Sequence, residues 1–149
     1  MTAQENVVLV QSLLDLYNNH QSDPSWLDKS VAAFAADSEL LDVPTGRTLP
    51  GQDGYKQLAL LFAEAFPGSS IELTNAFATE DQVVIEFTGR GINTGPLHMP
   101  TGDIPATGRY SELRFCEVYR IKSGKIVSLH SYYDVMTMLQ QLGLVPATS

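Results

Sequence analysis

The chain has 149 residues, enough for one domain with a core of its own. Its net charge is -8, with 9 Lys and Arg against 17 Asp and Glu, which argues against nucleic acid and an anionic membrane surface as partners. The single cysteine, Cys116, rules out an intrachain disulfide and a cysteine-built metal site.

The first residues lack a positive region followed by an apolar run, and no apolar stretch is long enough to span a bilayer. A cytoplasmic protein is the expectation. Thr2 and Glu5 have capping-box spacing, and Val10, Leu13, Leu14 and Tyr17 then recur on one helical face, up to Asn18-Asn19-His20. A second helix is expected from Ser25, burying Leu27, Val31 and Phe34, then a short strand from Glu39 to Val43. Pro44 to Gly51 reads as a loop. A third helix is expected from Asp53 as N-cap, with Tyr55, Leu58, Phe62 and Phe66 on one side, stopped by Pro67-Gly68.

The period then changes to that of strands. Ile71–Phe77 and Gln82–Ile92 read as strands with Glu80-Asp81 between them. Asn93 to Gly108 is a Gly- and Pro-rich excursion, long enough to suggest a lid or pocket rim. Tyr110–Ile121 and Ile126–Tyr133 form a hairpin around Lys122-Ser123-Gly124-Lys125, and a last helix runs from Asp134 to Leu142. Helices first and strands last indicate an α+β fold, one antiparallel sheet with helices on one face enclosing a pocket.

Strand alternation selects the side chains that could meet there. Ile126, Ser128, His130 and Tyr132 share a parity that Asp134 continues. Leu113, Phe115, Glu117, Tyr119 and Ile121 share another face, as do Val83, Ile85, Phe87, Gly89, Gly91 and Asn93. Aromatic walls with sparse polar groups suit a small hydrophobic ligand, and equally an ordinary core. Asp134 is a candidate acid/base if an apolar pocket raises its pKa, and it is also where the last helix needs an N-cap. Glu117 is a second acid, inward or outward depending on strand register. His130 is either a proton shuttle or a satisfied rim residue. His98 is expected in solvent, and His20 as a charge at a helix end.

Several short segments then occur in a telling order. They are Gly91-Ile92-Asn93-Thr94-Gly95-Pro96, Ile104-Pro105-Ala106-Thr107-Gly108-Arg109, Gly124-Lys125-Ile126-Val127, Tyr133-Asp134 and Gln141-Leu142-Gly143. Together they resemble the SnoaL-like polyketide cyclases of the NTF2-like superfamily, over about residues 5 to 145. That resemblance implies an α+β cone, commonly a homodimer, and a cofactor-free intramolecular aldol ring closure in a polyketide ester. It implies Asp134 as the general acid/base, no metal, and a small hydrophobic molecule as partner. Asn93 stands where the family has a histidine, and His130 where it has a tryptophan.

The resulting expectation is an enzyme of proton transfer on a hydrophobic carbonyl compound. Asp134, His130 and Asn93 would be catalytic; Tyr17, Trp26, Phe34, Phe87, Phe115, Glu117, Tyr119 and Tyr132 would bind substrate. The alternatives are a non-catalytic binder built on the same cone and a ketosteroid-isomerase-like isomerase. An epoxide hydrolase is disfavoured, because Arg114 and Arg120 have the parity of the outer face.

Overall fold

The computed structural model describes residues 2–146. Helix α1 (Ala3–Asn18) begins at the expected capping box, in which the Thr2 hydroxyl accepts from the Glu5 N–H and the Glu5 carboxylate from the Thr2 N–H. Val10, Leu13, Leu14 and Tyr17 form its buried stripe. Helix α2 (Trp26–Val31) is shorter than its pattern suggests, and Leu27 is only partly buried. Phe34 belongs to strand β1 (Phe34–Asp42) rather than to that helix. The Pro44–Gly51 segment contains strand β2 (Arg47–Pro50), and helix α3 (Gly51–Ala65) starts directly after it, with Pro50 and not Asp53 at its N-cap. Both differences follow from pairing: Glu39–Asp42 and Arg47–Pro50 satisfy each other's backbone groups in an antiparallel ladder.

Strands β3 (Ser70–Ala78) and β4 (Gln82–Ile92) follow, then the small β5 (Leu97–Met99) and β6 (Gly102–Ile104), long β7 (Tyr110–Lys122) and β8 (Lys125–Tyr133). Short α4 (Val135–Gln141) is the last element among the described residues. One six-stranded sheet has the order β2-β1-β8-β7-β4-β3. It is not wholly antiparallel: β1 runs parallel to β8. A parallel neighbour needs a long connection, here most of the chain, which local patterning cannot reveal. The β7–β8 turn has φ of 52° at Ser123 and 75° at Gly124, the two left-handed residues of a type I′ hairpin.

The register of β8 decides the site. Ile126 pairs with Ile121, yet Ser128 pairs with Arg120, so Val127 is an extra residue. This bulge inverts the parity of everything after it. Leu129 and Ser131 become buried, while His130 is half-exposed and Tyr132 is 43% exposed on the other face.

The 93–108 excursion is anchored through Asn93. Asn93 is 1% exposed and its side chain is used entirely by backbone and a neighbouring hydroxyl. Its Nδ2 donates to the carbonyls of Ala65 (2.9 Å) and Gly95 (3.0 Å), and its Oδ1 accepts from Thr107 N (2.8 Å) and Oγ1 (2.9 Å). It ties both ends of the excursion to the end of α3. Gly95 packs so close there that a Cβ would overlap the Glu64 carbonyl. Inside the excursion, Leu97 is buried and β5 pairs with β6, with His98 bonded to Asp103 (2.8 Å) and Glu64 (3.2 Å).

Candidate functional site

The concave side of β4 and β7 faces α1 and α3, and a cavity lies between them. It comprises about 790 Å³, its solvent-open mouth included. Two glycines allow close packing in its wall. Gly89 and Gly91 occupy inward positions of β4, where a Cβ on Gly91 would come within 2.8 Å of Ser69 Cβ. The walls are aromatic and aliphatic: Phe87 stacks on Phe115 at 4.8 Å, and Phe62 meets Phe115 edge-on at 5.2 Å.

Polar groups are few. Toward Gly91 stand Ser69, bonded to the Tyr17 hydroxyl at 2.7 Å, and Ser111, which donates to Gln141 Oε1. Burial pushes the Tyr17 phenol up to about 12, against the pull of Ser69. Six residues further along β7, about 20 Å at strand rise, stands Glu117. It is 8% exposed, and its Oε1 and Oε2 accept from the Tyr119 hydroxyl (2.6 Å) and the Ser131 hydroxyl (2.8 Å). Burial is the largest influence on its carboxyl and raises it above the ordinary carboxylate range. The two hydrogen bonds pull it down, and the charge of Asp42 pushes it up again. Tyr55 on α3 lines the cavity, and its phenol is held far above the usual range by burial and then by Glu117.

Of the expected site residues, Tyr17, Phe87, Phe115, Glu117 and Tyr119 line the cavity. Trp26 and Phe34 are buried one layer back, against Tyr17 (5.7 Å) and Tyr55 (4.4 Å). The other four lie elsewhere. Asn93 is the clamp described above. His130 and Tyr132 are carried outward by the β8 bulge. Asp134 is exposed and caps α4, its Oδ1 accepting from Thr137 N (3.1 Å) and its Oδ2 from Thr137 Oγ1 (2.7 Å). Those bonds hold its carboxyl below the usual carboxylate range, the opposite of what a neutral-pH proton carrier needs. His20 stands just past the end of α1, where its Nε2 accepts the Gly68 N–H at 3.2 Å and its Nδ1 lies 2.7 Å from the Tyr17 carbonyl. Sequence reasoning missed Ser131 and Asp42 beside Glu117; the polar residues at odd positions of an apolar strand were the available signal.

The family model for SnoaL-like polyketide cyclases matches residues 7–142. The chain belongs to the SnoaL-like polyketide cyclase family. Among solved structures it is similar to one described as a SnoaL-like polyketide cyclase from Jannaschia sp. CCS1, with a TM-score of 0.84 and 16% identity over 97% of this chain and 96% of that one. It is also similar to one described as a polyketide cyclase from Xanthomonas campestris, with a TM-score of 0.73 and 18% identity over 95% and 99%. An LEH-like epoxide hydrolase of M. tuberculosis aligns with a TM-score of 0.67 and 18% identity over 94% and 90%. At these identities the neighbours establish the NTF2-like fold of this SnoaL-like chain. A search of curated proteins finds no match to the sequence. No helix of the described residues is long and apolar enough to cross a membrane.

Proposed function

We propose that this SnoaL-like protein performs cofactor-free acid/base chemistry on a small, hydrophobic, uncharged carbonyl compound, with Glu117 as the proton carrier. The observation that carries the reading is a carboxyl buried in an aromatic cavity and bonded to two hydroxyls. In its ionised form Glu117 takes a proton from the carbon next to a carbonyl, leaving an enolate. The enolate carbon attacks a second carbonyl of the same molecule, a carbon–carbon bond closes a ring, and Glu117 returns the proton to the new alkoxide. Atoms balance without an oxidant or reductant. Returning the proton to a different carbon instead gives an isomerisation, so the same residues suit a ketosteroid-isomerase-type shift. A carboxyl held above its ordinary range populates both forms closer to neutral pH, which is what such a carrier requires. Tyr55 supplies a phenol for the enolate oxygen. A free acid substrate is disfavoured, because a second carboxylate beside Glu117 would meet repulsion. The reading includes a homodimer, checked by sedimentation equilibrium.

The test follows proton exchange rather than product. Aryl β-keto esters and hydrophobic cyclic ketones are incubated in D2O, and loss of the α-proton is followed by NMR. Glu117→Gln should lower the catalysed exchange about 100-fold or more, and Asp134→Asn should leave it unchanged. If Asp134→Asn abolishes exchange while Glu117→Gln retains it, the assignment to Glu117 is wrong. If the native protein binds these compounds in a thermal-shift assay yet exchanges none, the protein is a binder.

A further inference from the structure

The cavity has a second polar end, away from Glu117, and its hydroxyl protons can be counted. Gly91 on β4 is the centre of it. Ser111 on β7 is the ladder partner of Gly91, and Ser69, in the turn between α3 and β3, packs against Gly91 as well. Ser69 is 8% exposed and Ser111 4%, and both line the cavity together with Tyr17. Toward Glu117 the wall is apolar, formed by Leu113, Phe115 and Phe87 on the sheet and by Leu58 and Phe62 on α3.

Ser111 has its proton committed. The Glu112 N–H donates to Gln141 Oε1 at 3.1 Å, and the Glu112 carbonyl accepts from Gln141 Nε2 at 2.9 Å, which fixes the orientation of that amide. The Ser111 hydroxyl stands 2.7 Å from Oε1 and donates to it, because an amide oxygen only accepts. What Ser111 has left to offer the cavity is an acceptor lone pair. Tyr17 and Ser69 are in the opposite condition. Their hydroxyl oxygens are 2.7 Å apart. Each hydroxyl carries a proton at neutral pH, and the bond between them uses one of the two, whichever atom donates. Neither hydroxyl has another acceptor among the described residues. One proton of the pair is therefore left for whatever occupies the cavity.

We propose that Tyr17, Ser69 and Ser111 form a second subsite, which holds a hydroxyl group on the end of the ligand remote from the reacting carbonyl. A hydroxyl takes the spare proton of the Tyr17–Ser69 pair on its oxygen and gives its own proton to Ser111. A ketone or ether oxygen could do only the first. An apolar end does neither and leaves the buried hydroxyls without the partners that water gave them. The ligand is thus a hydrophobic carbonyl compound with a phenol or alcohol at its far end. The subsite rests on the proposed reading of the cavity, but binding at this end can be measured with Glu117 replaced, so the two ideas fail separately.

The probes are a biphenyl β-keto ester with a hydroxyl on the ring remote from the ketone, and the same ester without that hydroxyl. Dissociation constants come from isothermal titration calorimetry. The native protein should bind the hydroxylated ester about tenfold more tightly, the net worth of one to two hydrogen bonds. Tyr17→Phe/Ser69→Ala removes the spare proton and Ser111→Ala removes the acceptor. Each should cut the advantage to about threefold or less, while affinity for the unsubstituted ester stays within about twofold and so reports an intact cavity. Glu117→Gln should lose α-proton exchange and keep the advantage. Equal binding of the two esters by the native protein overturns the proposal. So does an advantage that survives in both subsite variants, or one that vanishes only in Glu117→Gln, since the hydroxyl would then sit on Glu117.

Discussion

Asn93 should be among the most costly polar residues to replace, and for reasons unrelated to chemistry. Alanine at this position removes four hydrogen bonds, two donated to Ala65 and Gly95 carbonyls and two accepted from Thr107. Ala65 O keeps a second partner in the Gly95 N–H at 3.2 Å, so the groups most exposed to loss are Gly95 O and Thr107 N. At roughly 1 kcal/mol net for each bond, the expected loss is about 3–4 kcal/mol. For a chain of this length that is a fall in Tm of about 10 °C. Asn93→Asp should cost at least as much, because an oxygen would replace the Nδ2 donor and face two carbonyls. Urea unfolding measures both variants, and amide hydrogen exchange should show the 94–108 segment losing protection first. A loss under about 1 kcal/mol in Asn93→Ala, together with a tolerated Asn93→Asp, would refute the clamp.

Three further outcomes follow from the same geometry. Asp134→Asn should keep the Tm of the native protein, because Asn caps a helix as well as Asp, whereas Asp134→Ala should lower it by about 2–4 °C in differential scanning calorimetry. The Asp134 contribution is present above the ordinary carboxylate range and is lost as pH falls through its depressed folded value. Glu117 has the opposite sign: from about pH 4.3 up to its raised folded value the folded state holds a proton the unfolded state has lost. Stability should therefore fall as pH rises across that window, by about 1.4 kcal/mol per unit of displacement, and Glu117→Gln should flatten this part of a urea-unfolding pH profile. His98 is raised, by the Asp103 hydrogen bond above all. Its contribution is complete below about pH 6.5 and disappears as pH rises through the folded value, so His98→Gln should remove that slope above about pH 6.5.

Much of the architecture was legible because it rests on local rules. The capping box of α1, the β7–β8 hairpin, the strands of β3 and β4 and the Asp134 cap each need only neighbouring residues to be understood. The alternation of β4 and β7 correctly placed Phe87, Phe115, Glu117 and Tyr119 on one concave face, since neither strand is interrupted where they stand. Beyond the hairpin the same rule failed. One extra residue at Val127 exchanged the faces of β8, sending His130 and Tyr132 outward and bringing Ser131 in beside Glu117. Nothing in an apolar run announces a bulge, because its cause is the register demanded by two neighbouring strands at once.

The candidate site divides along that line. The sequence by itself determined that a carboxyl, Glu117, stands in an aromatic row, and that Asp134 begins a helix. Which of the two reaches the interior was decided by tertiary structure alone. Parity is a property of one strand, but burial is a property of what packs against it. The parallel pairing of β1 with β8 joins residues 42 and 131, far apart in the chain, and so brings a second carboxylate into line with Glu117. Alignment of that kind depends on register across the folded sheet, which the order of residues along the chain does not contain.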